Sequence, residues 1–251
     1  MKRNGNIVLV TGGGTGIGLA LAAKLLREGN EVIICGRTTS SLEEARLHHP
    51  GLAILVADVS SEDGRNKIVE VIQRDFPKLN VLINNAGVSF VTSIKQPDFI
   101  SKLESEVAVN LVAPLALAHA LLPLLEQQPQ ATVINVTSGY AYLPSSRMSG
   151  YSASKAGLRA ATSALRFQLR NTSVRVVEVA PPSVDTAMAR GLPGMTPALF
   201  AEKVFSKLVK GKNEIVIGAS RLAKLLSRLS PQLGVKIMND GEERNPAYVK
   251  A

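Results

Sequence analysis

Cysteine, tryptophan and histidine are scarce in this sequence: its 251 residues include one cysteine, no tryptophan and three histidines. With Cys35 as the sole cysteine, no intramolecular disulfide can form. Its place in the apolar run 31–35 predicts a small, buried side chain. The histidines His48, His49 and His119 show none of the spacings of metal ligands, so no metal site is expected.

Long apolar segments are lacking as well. No uninterrupted apolar run reaches the about 20 residues that a membrane-spanning helix needs. The apolar stretch 6–10, which precedes the first glycines, is too short for a signal peptide. We therefore expect a cytoplasmic protein.

Acidic residues are scarce toward the C-terminus. The chain carries 29 Lys and Arg against 20 Asp and Glu, a net charge of +9. The segment 203–236 has a single carboxylate, Glu214, against these basic residues: Lys203, Lys207, Lys210, Lys212, Arg221, Lys224, Arg228 and Lys236. A basic balance can indicate nucleic acid, an anionic membrane or an acidic substrate. Because the excess is confined to one segment, a nucleic-acid partner is not expected.

Short apolar runs alternate with helical patterns along the chain. Runs that are continuously apolar, rather than alternating, are typical of parallel strands covered on both faces. The predicted strands are 6–10, 31–35, 52–57, 80–84, 131–137, 174–180 and 214–218, and the main predicted helices are 17–28, 61–75, 102–126 and 152–170. This alternation predicts an α/β fold: a Rossmann-type, doubly wound, seven-stranded parallel sheet in three layers, forming a single domain. Residues 1–218 would form the Rossmann unit, and residues 219–251 a helical extension packed on it.

Glycines follow the first strand and open the first helix, in the segment TGGGTGIG (11–18). Gly12 permits a tight turn, Gly16 lets the backbone approach a pyrophosphate, and Gly18 lets helix and strand pack closely. The first N–H groups of the helix would then face phosphates. This context predicts a dinucleotide site, with a ligand-free glycine turn as the alternative.

The second strand is followed by Arg37. A site that prefers NAD usually has Asp or Glu at this place to bind the ribose 2′-hydroxyl, whereas a guanidinium suits the 2′-phosphate of NADP. NADP is therefore favoured and NAD stays an alternative, since Thr15 supplies no second cation in the glycine turn. A solvated loop arginine would be the simplest other explanation.

Two further motifs follow in order: NNAG (84–87) and YSASK (151–155). Together with the glycine turn, they make residues 6–218 similar to the short-chain dehydrogenase/reductase family, and within it to the DltE-type oxidoreductases. The resemblance implies an NAD(P)-dependent oxidoreductase acting on a carbonyl or secondary alcohol. It also implies a catalytic set made of Asn110, Ser138, Tyr151 and Lys155.

The residue types suit that chemistry. Hydride transfer to a carbonyl carbon leaves an oxyanion that must be protonated. A phenol has a pKa near 10 and needs a nearby cation to act at neutral pH. Lys155 lies one helical turn after Tyr151 and can supply that charge, while Ser138 offers a hydroxyl donor to the substrate oxygen. A solvated surface pair is the alternative for Tyr151 and Lys155.

The resemblance also implies a set of cofactor contacts. They are Gly12, Thr15, Gly16, Ile17, Gly18, Arg37, Asp58, Val59, Asn85, Ala86, Gly87, Tyr151, Lys155, Pro181, Val184 and Thr186. For Val59, simple core packing is an equal alternative, and Asn84 is interpreted as tying neighbouring strands together. Pro182 departs from the family, which usually has glycine there. Because proline fixes φ and lacks an N–H, this loop is expected to be stiffer, and turnover could be slow.

Substrate contacts are expected from the loops after the fifth and sixth strands. The predicted substrate residues are Ser138, Tyr140, Met188 and Leu192, with Met195 and Phe200 as further candidate walls of an apolar pocket. The apolar helices 102–126 and 152–170 resemble the pairing surfaces of family dimers, and the length of the extension favours a homodimer.

The C-terminal extension contains Leu222, Leu225, Leu226 and Leu229 at helical spacing, flanked by basic residues. Such a helix can lie on an anionic membrane, but packing on its own domain or a partner is favoured, so peripheral membrane contact is not expected. An alternative function follows from this segment and Pro182: a weakly active or inactive NAD(P)-binding interaction or sensor protein that docks through basic residues.

Overall fold

The protein, described here from a computed structural model over residues 1–189 and 193–243, is built on one seven-stranded parallel sheet of strand order β3-β2-β1-β4-β5-β6-β7. The strands are β1 Ile7–Thr11, β2 Glu31–Gly36, β3 Leu52–Val56, β4 Val81–Asn84, β5 Ala131–Val136, β6 Val174–Ala180 and β7 Glu214–Val216. The predicted Rossmann-type fold is confirmed, and the strands differ from prediction only at their ends.

The sheet has an apolar core on each face because its strands carry apolar residues on both sides. Val8 and Val10 of β1 point into one core, and Leu9 points into the other. All three side chains are fully buried. This is why the sequence runs are continuously apolar rather than alternating.

Nine α-helices lie among the described residues. They are α1 Gly16–Arg27, α2 Thr39–His48, α3 Glu62–Asp75, α4 Phe99–Val107, α5 Ala113–Glu126, α6 Ser149–Gln168, α7 Pro197–Val209, α8 Ser220–Leu229 and α9 Pro231–Glu243. Helices α1, α2 and α7 contribute to one core, and α3 and α5 to the other. The three-layer arrangement follows from this distribution.

The predicted helix 102–126 is longer and less regular than expected. It begins at Phe99, and a five-residue π-helical segment, Ala108–Val112, joins α4 to α5. By length and composition the stretch Phe99–Glu126 could cross a bilayer, since its most apolar window has a mean hydropathy of 1.9. The sequence did not predict this candidate span, because polar residues interrupt the apolar run. In this fold α5 packs on the sheet through buried leucines, including Leu117 and Leu121.

The C-terminal helices pack on the strand ends near the loop that follows β5. On α8, Ala223 is buried against Tyr142 and Leu143, and Leu226 packs beside them. The other three leucines of the predicted stripe, Leu222, Leu225 and Leu229, are exposed. Of the packing expected on the domain itself or on a partner, packing on the described part of the chain is therefore seen for Leu226 only, because Ala223 and Leu226 form the packed face of α8. A partner contact for the other three leucines stays a prediction.

Candidate active site

Tyr151 and Lys155 lie on the first turns of α6, which begins at Ser149. Both side chains are buried, and the Lys155 Nζ atom lies 5.8 Å from the centre of the Tyr151 ring. Lys155 Nζ donates a hydrogen bond of 2.8 Å to the carbonyl oxygen of Val136, at the end of β5. The i,i+4 spacing of the two residues on one helix thus places a cation and a phenol together in a water-poor site.

Burial governs the protonation of this pair. It raises the pKa of Tyr151 to about 12; a hydrogen bond with Ser138 opposes that rise, and the charge of Glu106 adds to it. Burial also lowers the pKa of Lys155 to about 8. The expected lowering of the phenol pKa by the lysine is not seen in the protein alone, because the loss of hydration of the phenol outweighs the opposing hydrogen bond with Ser138.

Ser138 lies beside Tyr151, immediately after β5. Its hydroxyl accepts a hydrogen bond of 3.2 Å from the backbone N–H of Tyr140 and caps the short 3₁₀ turn Gly139–Ala141. The Tyr140 ring meets the Tyr151 ring edge to face, with centroids 6.2 Å apart. The turn after β5 therefore positions a hydroxyl and an aromatic ring next to the Tyr151 phenol.

Asn110 lies in the π-helical segment between α4 and α5 and is fully buried. Its Oδ1 accepts from the N–H of Val88 at 2.9 Å, and its Nδ2 donates to the Val88 carbonyl at 2.9 Å and to Ser154 Oγ at 3.0 Å. These bonds fix the loop after β4 against α6. A Cβ on Gly87 would lie 3.1 Å from Asn110 Oδ1 and 3.5 Å from Lys155 Nζ, so glycine leaves room there for both groups.

Glu106 is a buried residue of this site that the sequence reasoning missed. Its Oε1 accepts a hydrogen bond of 2.8 Å from the N–H of Phe90, and its side chain is fully buried. A Cβ on Gly150 would lie 2.2 Å from Glu106 Oε2. Glu106 precedes Asn110 by one helical turn, and this i,i+4 pair of polar residues within an apolar helix was the available signal.

The glycine turn has the backbone geometry that its sequence predicts. Gly12 and Gly16 have φ values of +62° and +55°, which side chains disfavour. A Cβ on Gly18 would lie 2.1 Å from the Gly12 carbonyl oxygen, so α1 can pack this closely only on a glycine. Asn85 Nδ2 donates to the carbonyl oxygens of Thr11 and Gly12, and so ties the turn to the end of β4.

A cavity of about 200 Å³ opens beside this turn and contains many of the predicted cofactor residues. Those lining it are Gly12, Thr15, Arg37, Asp58, Val59, Ala86 and Gly87. Val59 is also part of the core, so both interpretations of that residue apply. The glycine-lined walls leave space that side chains would otherwise fill, which fits a dinucleotide.

Polar groups gather at the Arg37 end of this cavity. Thr38 and Ser41 line it, although neither was predicted as a site residue. Thr38 is the N-cap residue of α2, and its side chain makes no capping bond. An Arg37 nitrogen lies 3.9 Å from Asp58 Oδ2, while Asp58 Oδ1 accepts from the N–H and hydroxyl of Ser60. The combination of guanidinium, hydroxyls and helix N-terminus suits an anion.

A second cavity, of about 280 Å³, opens at Tyr151. Its wall includes these predicted residues: Ile17, Ser138, Tyr140, Tyr151, Pro181, Val184, Thr186 and Met188. The C-terminal extension adds Ala219, which precedes α8, Ser220 and Ala223 from α8, and Met238 from α9, none of which was predicted. No charged side chain of the described residues lines it.

The loop after β6 forms one side of the second cavity. Pro182 lines that cavity and packs on Gly218, whose Cβ would lie 3.1 Å from the proline ring. The loop is further fixed because Ser220 Oγ donates to the Pro181 carbonyl at 2.7 Å and Asp185 N–H donates to the Met195 carbonyl at 3.0 Å. Proline at this place therefore belongs to a loop that is braced from both sides.

Other predicted positions fall elsewhere. Phe200, expected to line the pocket, is wholly buried in the core, where α7 packs on the sheet. Met195 packs beside that core and pairs with Val184 instead of lining the second cavity. Leu192 lies outside the described residues. Asn84 bonds to Asn135 Oδ1 at 2.8 Å across β4 and β5, which confirms the predicted tie between strands.

The described residues also include no metal cluster and one buried thiol. The described part of the chain contains no group of three His, Cys, Asp or Glu side chains that could hold a metal ion. Cys35 is buried in β2, and burial raises the pKa of its thiol to about 12.

Comparison with known proteins places this arrangement in a family. The family model for short chain dehydrogenase matches residues 6–195. An uncharacterized oxidoreductase of Bacillus subtilis (strain 168), DltE, is 40% identical over 229 residues, covering 86% of this chain and 89% of that protein.

Two solved structures share the fold. A short chain dehydrogenase from Burkholderia cenocepacia J2315 in complex with NADP superposes with a TM-score of 0.84 at 26% identity, covering 95% of this chain and 100% of that one. The Pseudomonas aeruginosa RhlG/NADP active-site complex gives a TM-score of 0.80 at 26% identity, covering 86% and 96%. From the motifs, the fold and these relatives, the chain belongs to the short-chain dehydrogenase family and is an NAD(P)-dependent oxidoreductase of the DltE branch.

Proposed function

We propose that this protein catalyses the reversible reduction of a carbonyl compound to a secondary alcohol with NADPH, and that Tyr151 is the proton donor. The observation that carries the proposal is that Tyr151 and Ser138 meet at the wall of an apolar cavity, with Lys155 Nζ 5.8 Å from the centre of the Tyr151 ring. Their order along the chain suits the family, and their geometry suits proton transfer to an oxygen at that wall.

The glycine-lined cavity and the Tyr151 cavity together suit a dinucleotide. Gly12, Thr15, Asp58 and Gly87 would hold its adenosine and phosphate portions, while Val184 and Thr186 would lie near its nicotinamide. When bound, NADPH supplies the hydride. The NADP complexes of the Burkholderia and Pseudomonas relatives, together with the anion-binding character of the Arg37 end, support NADP over NAD.

The side chains of the site would donate the proton, stabilise the developing charge and position the loops. Tyr151 has a pKa of about 12 in the protein alone and is therefore protonated at neutral pH, as an acid for carbonyl reduction must be. The Ser138 hydroxyl can donate to the same substrate oxygen and stabilise developing negative charge. Lys155 places a positive charge near the phenol, which stabilises the phenolate left after proton transfer. Asn110 positions the loop after β4 and the adjacent turn of α6.

The Tyr151 cavity supports an uncharged, largely apolar substrate. Met148, Met188 and Met238 line it, and methionine adapts to irregular apolar shapes. A charged substrate would find no described side chain of opposite charge at this wall. We therefore place aliphatic or aromatic ketones and aldehydes ahead of sugar acids or phosphorylated carbonyls.

A homodimer formed through Phe99–Glu126 and α6 accompanies this proposal. Only 33% of the most apolar window of that stretch is buried in the single chain, which leaves an apolar surface for a partner. Ile100 and Val112 are among its exposed side chains. We also place the protein in the cytoplasm, where its single thiol would stay reduced.

The test is turnover of NADPH with a panel of carbonyl compounds by the wild type and by Tyr151→Phe. We expect NADPH oxidation with apolar carbonyls and a loss of about 10²- to 10⁴-fold in kcat for the variant, the usual contribution of a general acid. Tyr142→Phe is the matched control, since that buried hydroxyl bonds to Glu178 at 2.9 Å and lines neither cavity. Tight NADPH binding without turnover of any carbonyl would point instead to a sensor.

A further inference from the structure

The two C-terminal helices present an apolar surface that no other described segment of the chain covers. Its five aliphatic side chains are Leu222, Leu225, Leu229, Leu233 and Ile237, and they are 58%, 53%, 75%, 50% and 53% exposed. On α8, the leucines recur at i, i+3 and i+7, which places them on one side of the helix. Isolated exposed leucines are ordinary, but a cluster of this kind marks an interaction surface.

This surface is cationic as well as apolar. Arg221, Arg228 and Lys236 are exposed along the same two helices, and none of them forms an ion pair within the described part of the chain. A fourth cation, Lys224, is paired with Glu214 of β7. No acidic residue occurs between 215 and 239.

The opposite face of α8 and α9 lines the Tyr151 cavity and contacts the loop after β5. Ala223 of α8 and Met238 of α9 line the Tyr151 cavity. On α9, Glu242 accepts a hydrogen bond of 2.5 Å from Ser145 Oγ, and Asn239 accepts one of 2.6 Å from the N–H of Ser146. The helices are therefore fixed on the loop after β5, and the exposed leucines are not a consequence of loose packing.

We propose that α8 and α9 dock this enzyme on an anionic lipid surface. Leucine and isoleucine side chains would enter the boundary between headgroups and acyl chains, while Arg221, Arg228 and Lys236 would pair with lipid phosphates. The bound surface would then lie on the outer side of the helices that wall the Tyr151 cavity. This gives an enzyme with an apolar pocket access to carbonyl compounds that partition into membranes.

Charge favours a membrane over a second copy of the chain as the occupant. Pairing of the same surface about a two-fold axis would bring Arg221 and Arg228 of both copies together. The carboxylates that follow in sequence, Asp240, Glu242 and Glu243, all come after the last exposed aliphatic residue, Ile237. Of the carboxylates closest in sequence on either side, Glu214 is paired with Lys224 and Glu242 is bonded to Ser145. An anionic bilayer would bury the exposed aliphatic side chains among its acyl chains and pair the exposed cations with its phosphates.

The experiment is sedimentation of the purified full-length protein with phosphatidylcholine vesicles that contain or lack 30% phosphatidylglycerol. We expect binding to the anionic vesicles only, and a loss of at least tenfold in affinity when the salt is raised from about 0.05 to 0.5 M, because salt screens exposed charges. Leu222→Gln/Leu229→Gln is expected to weaken binding at least tenfold. Arg228→Gln is expected to weaken it about fivefold, the value of one cation near an anionic surface.

Leu47→Gln is the matched control, since Leu47 on α2 is 78% exposed and lies far from α8 in sequence. It should bind vesicles as the wild type does, and all variants should keep the wild-type turnover of a water-soluble carbonyl. Equal binding to neutral and anionic vesicles, no binding at all, or undiminished binding by the double leucine variant would overturn the proposal. So would light scattering that shows the double variant dissociating a dimer, since the surface would then join two copies.

Discussion

The Nζ atom of Lys155 lies 5.8 Å from the centre of the Tyr151 ring and bonds to the Val136 carbonyl oxygen at 2.8 Å. Burial drives both groups toward their neutral forms, with pKa values of about 8 for Lys155 and about 12 for Tyr151. The lysine therefore titrates first as pH rises, and the tyrosine remains an acid throughout the physiological range.

The order in which Lys155 and Tyr151 lose their protons predicts the pH profile of carbonyl reduction. We expect kcat/KM to be constant below about pH 8 and to fall above it, because loss of the Lys155 proton removes the cation that stabilises the phenolate. The measurement is initial-rate kinetics from pH 6 to 10 at saturating NADPH, with stability checked at each pH. Unchanged kcat/KM up to pH 10 would mean that Lys155 keeps its proton and that burial is offset by another group.

Arg37 provides a test of cofactor selection. Arg37→Ser should weaken NADPH binding about 10- to 100-fold, the value of a hydrogen bond to a charged group, and leave NADH binding unchanged. Fluorescence titration with each cofactor measures both effects. Arg46→Ser, an exposed arginine on α2 that pairs with Glu43, is the control for loss of charge alone. Equal weakening of both cofactors by the Arg37 change would contradict selection at the 2′-phosphate.

Gly150 and Glu106 provide a test of how α6 is positioned. A Cβ on Gly150 would lie 2.2 Å from Glu106 Oε2, so Gly150→Ala must displace the buried carboxylate or the turn that carries Tyr151. We expect a loss of about 1–3 kcal/mol in the free energy of unfolding, the usual cost of overpacking, together with a loss of turnover. Chemical denaturation and steady-state kinetics measure the two effects.

Two further variants test whether the effect of Gly150→Ala comes from its contact with Glu106. At Gly157, on the same helix, a Cβ would lie 3.1 Å from the flexible end of Leu111, so Gly157→Ala should be tolerated or stabilising. Glu106→Asp shortens the carboxylate side chain and should restore part of the activity of Gly150→Ala. An additive loss in that double variant would show that the two residues do not interact.

The residues that sequence analysis predicted differ in kind from those it missed. Tyr151, Lys155 and the glycines of the turn could be predicted because their chemistry requires neighbours within one helical turn or one βα turn. Met238 and Ser41 became site residues only through tertiary packing, which brings α9 and α2 to cavities assembled from distant segments. Phe200 shows the opposite error, because an apolar residue after β6 suits a pocket wall and a helix core equally well.

Which leucines of α8 pack on the domain could not be predicted for a related reason. Helical spacing identifies an apolar face, but it cannot say which face of the helix meets the domain. In the structure Ser220, Ala223 and Leu226 pack inward, and the other three leucines, Leu222, Leu225 and Leu229, are turned outward. Close approach of the helix to the loop after β5 requires small side chains there, and the helix orientation follows from that requirement.

Ala223 provides a test of the substrate cavity. Its Cβ lines the cavity of about 280 Å³ at Tyr151, and the residue is buried. Ala223→Phe should fill much of that space, so KM for a long-chain or bulky ketone should rise at least tenfold, while kcat/KM for a small ketone should change less than threefold. Steady-state kinetics with ketones of increasing chain length measure the difference.

Leu225→Phe is the control for this change, because Leu225 lies on the exposed side of the same helix. It adds a ring to α8 without reaching the cavity, and its chain-length profile for soluble ketones should match that of the wild type. A loss of activity toward all ketones in Ala223→Phe would indicate that the ring displaces Tyr142 and Leu143, which pack beside Ala223. Only a loss that grows with substrate length assigns the wall of the pocket to the C-terminal helices, because a displaced loop would impair every substrate alike.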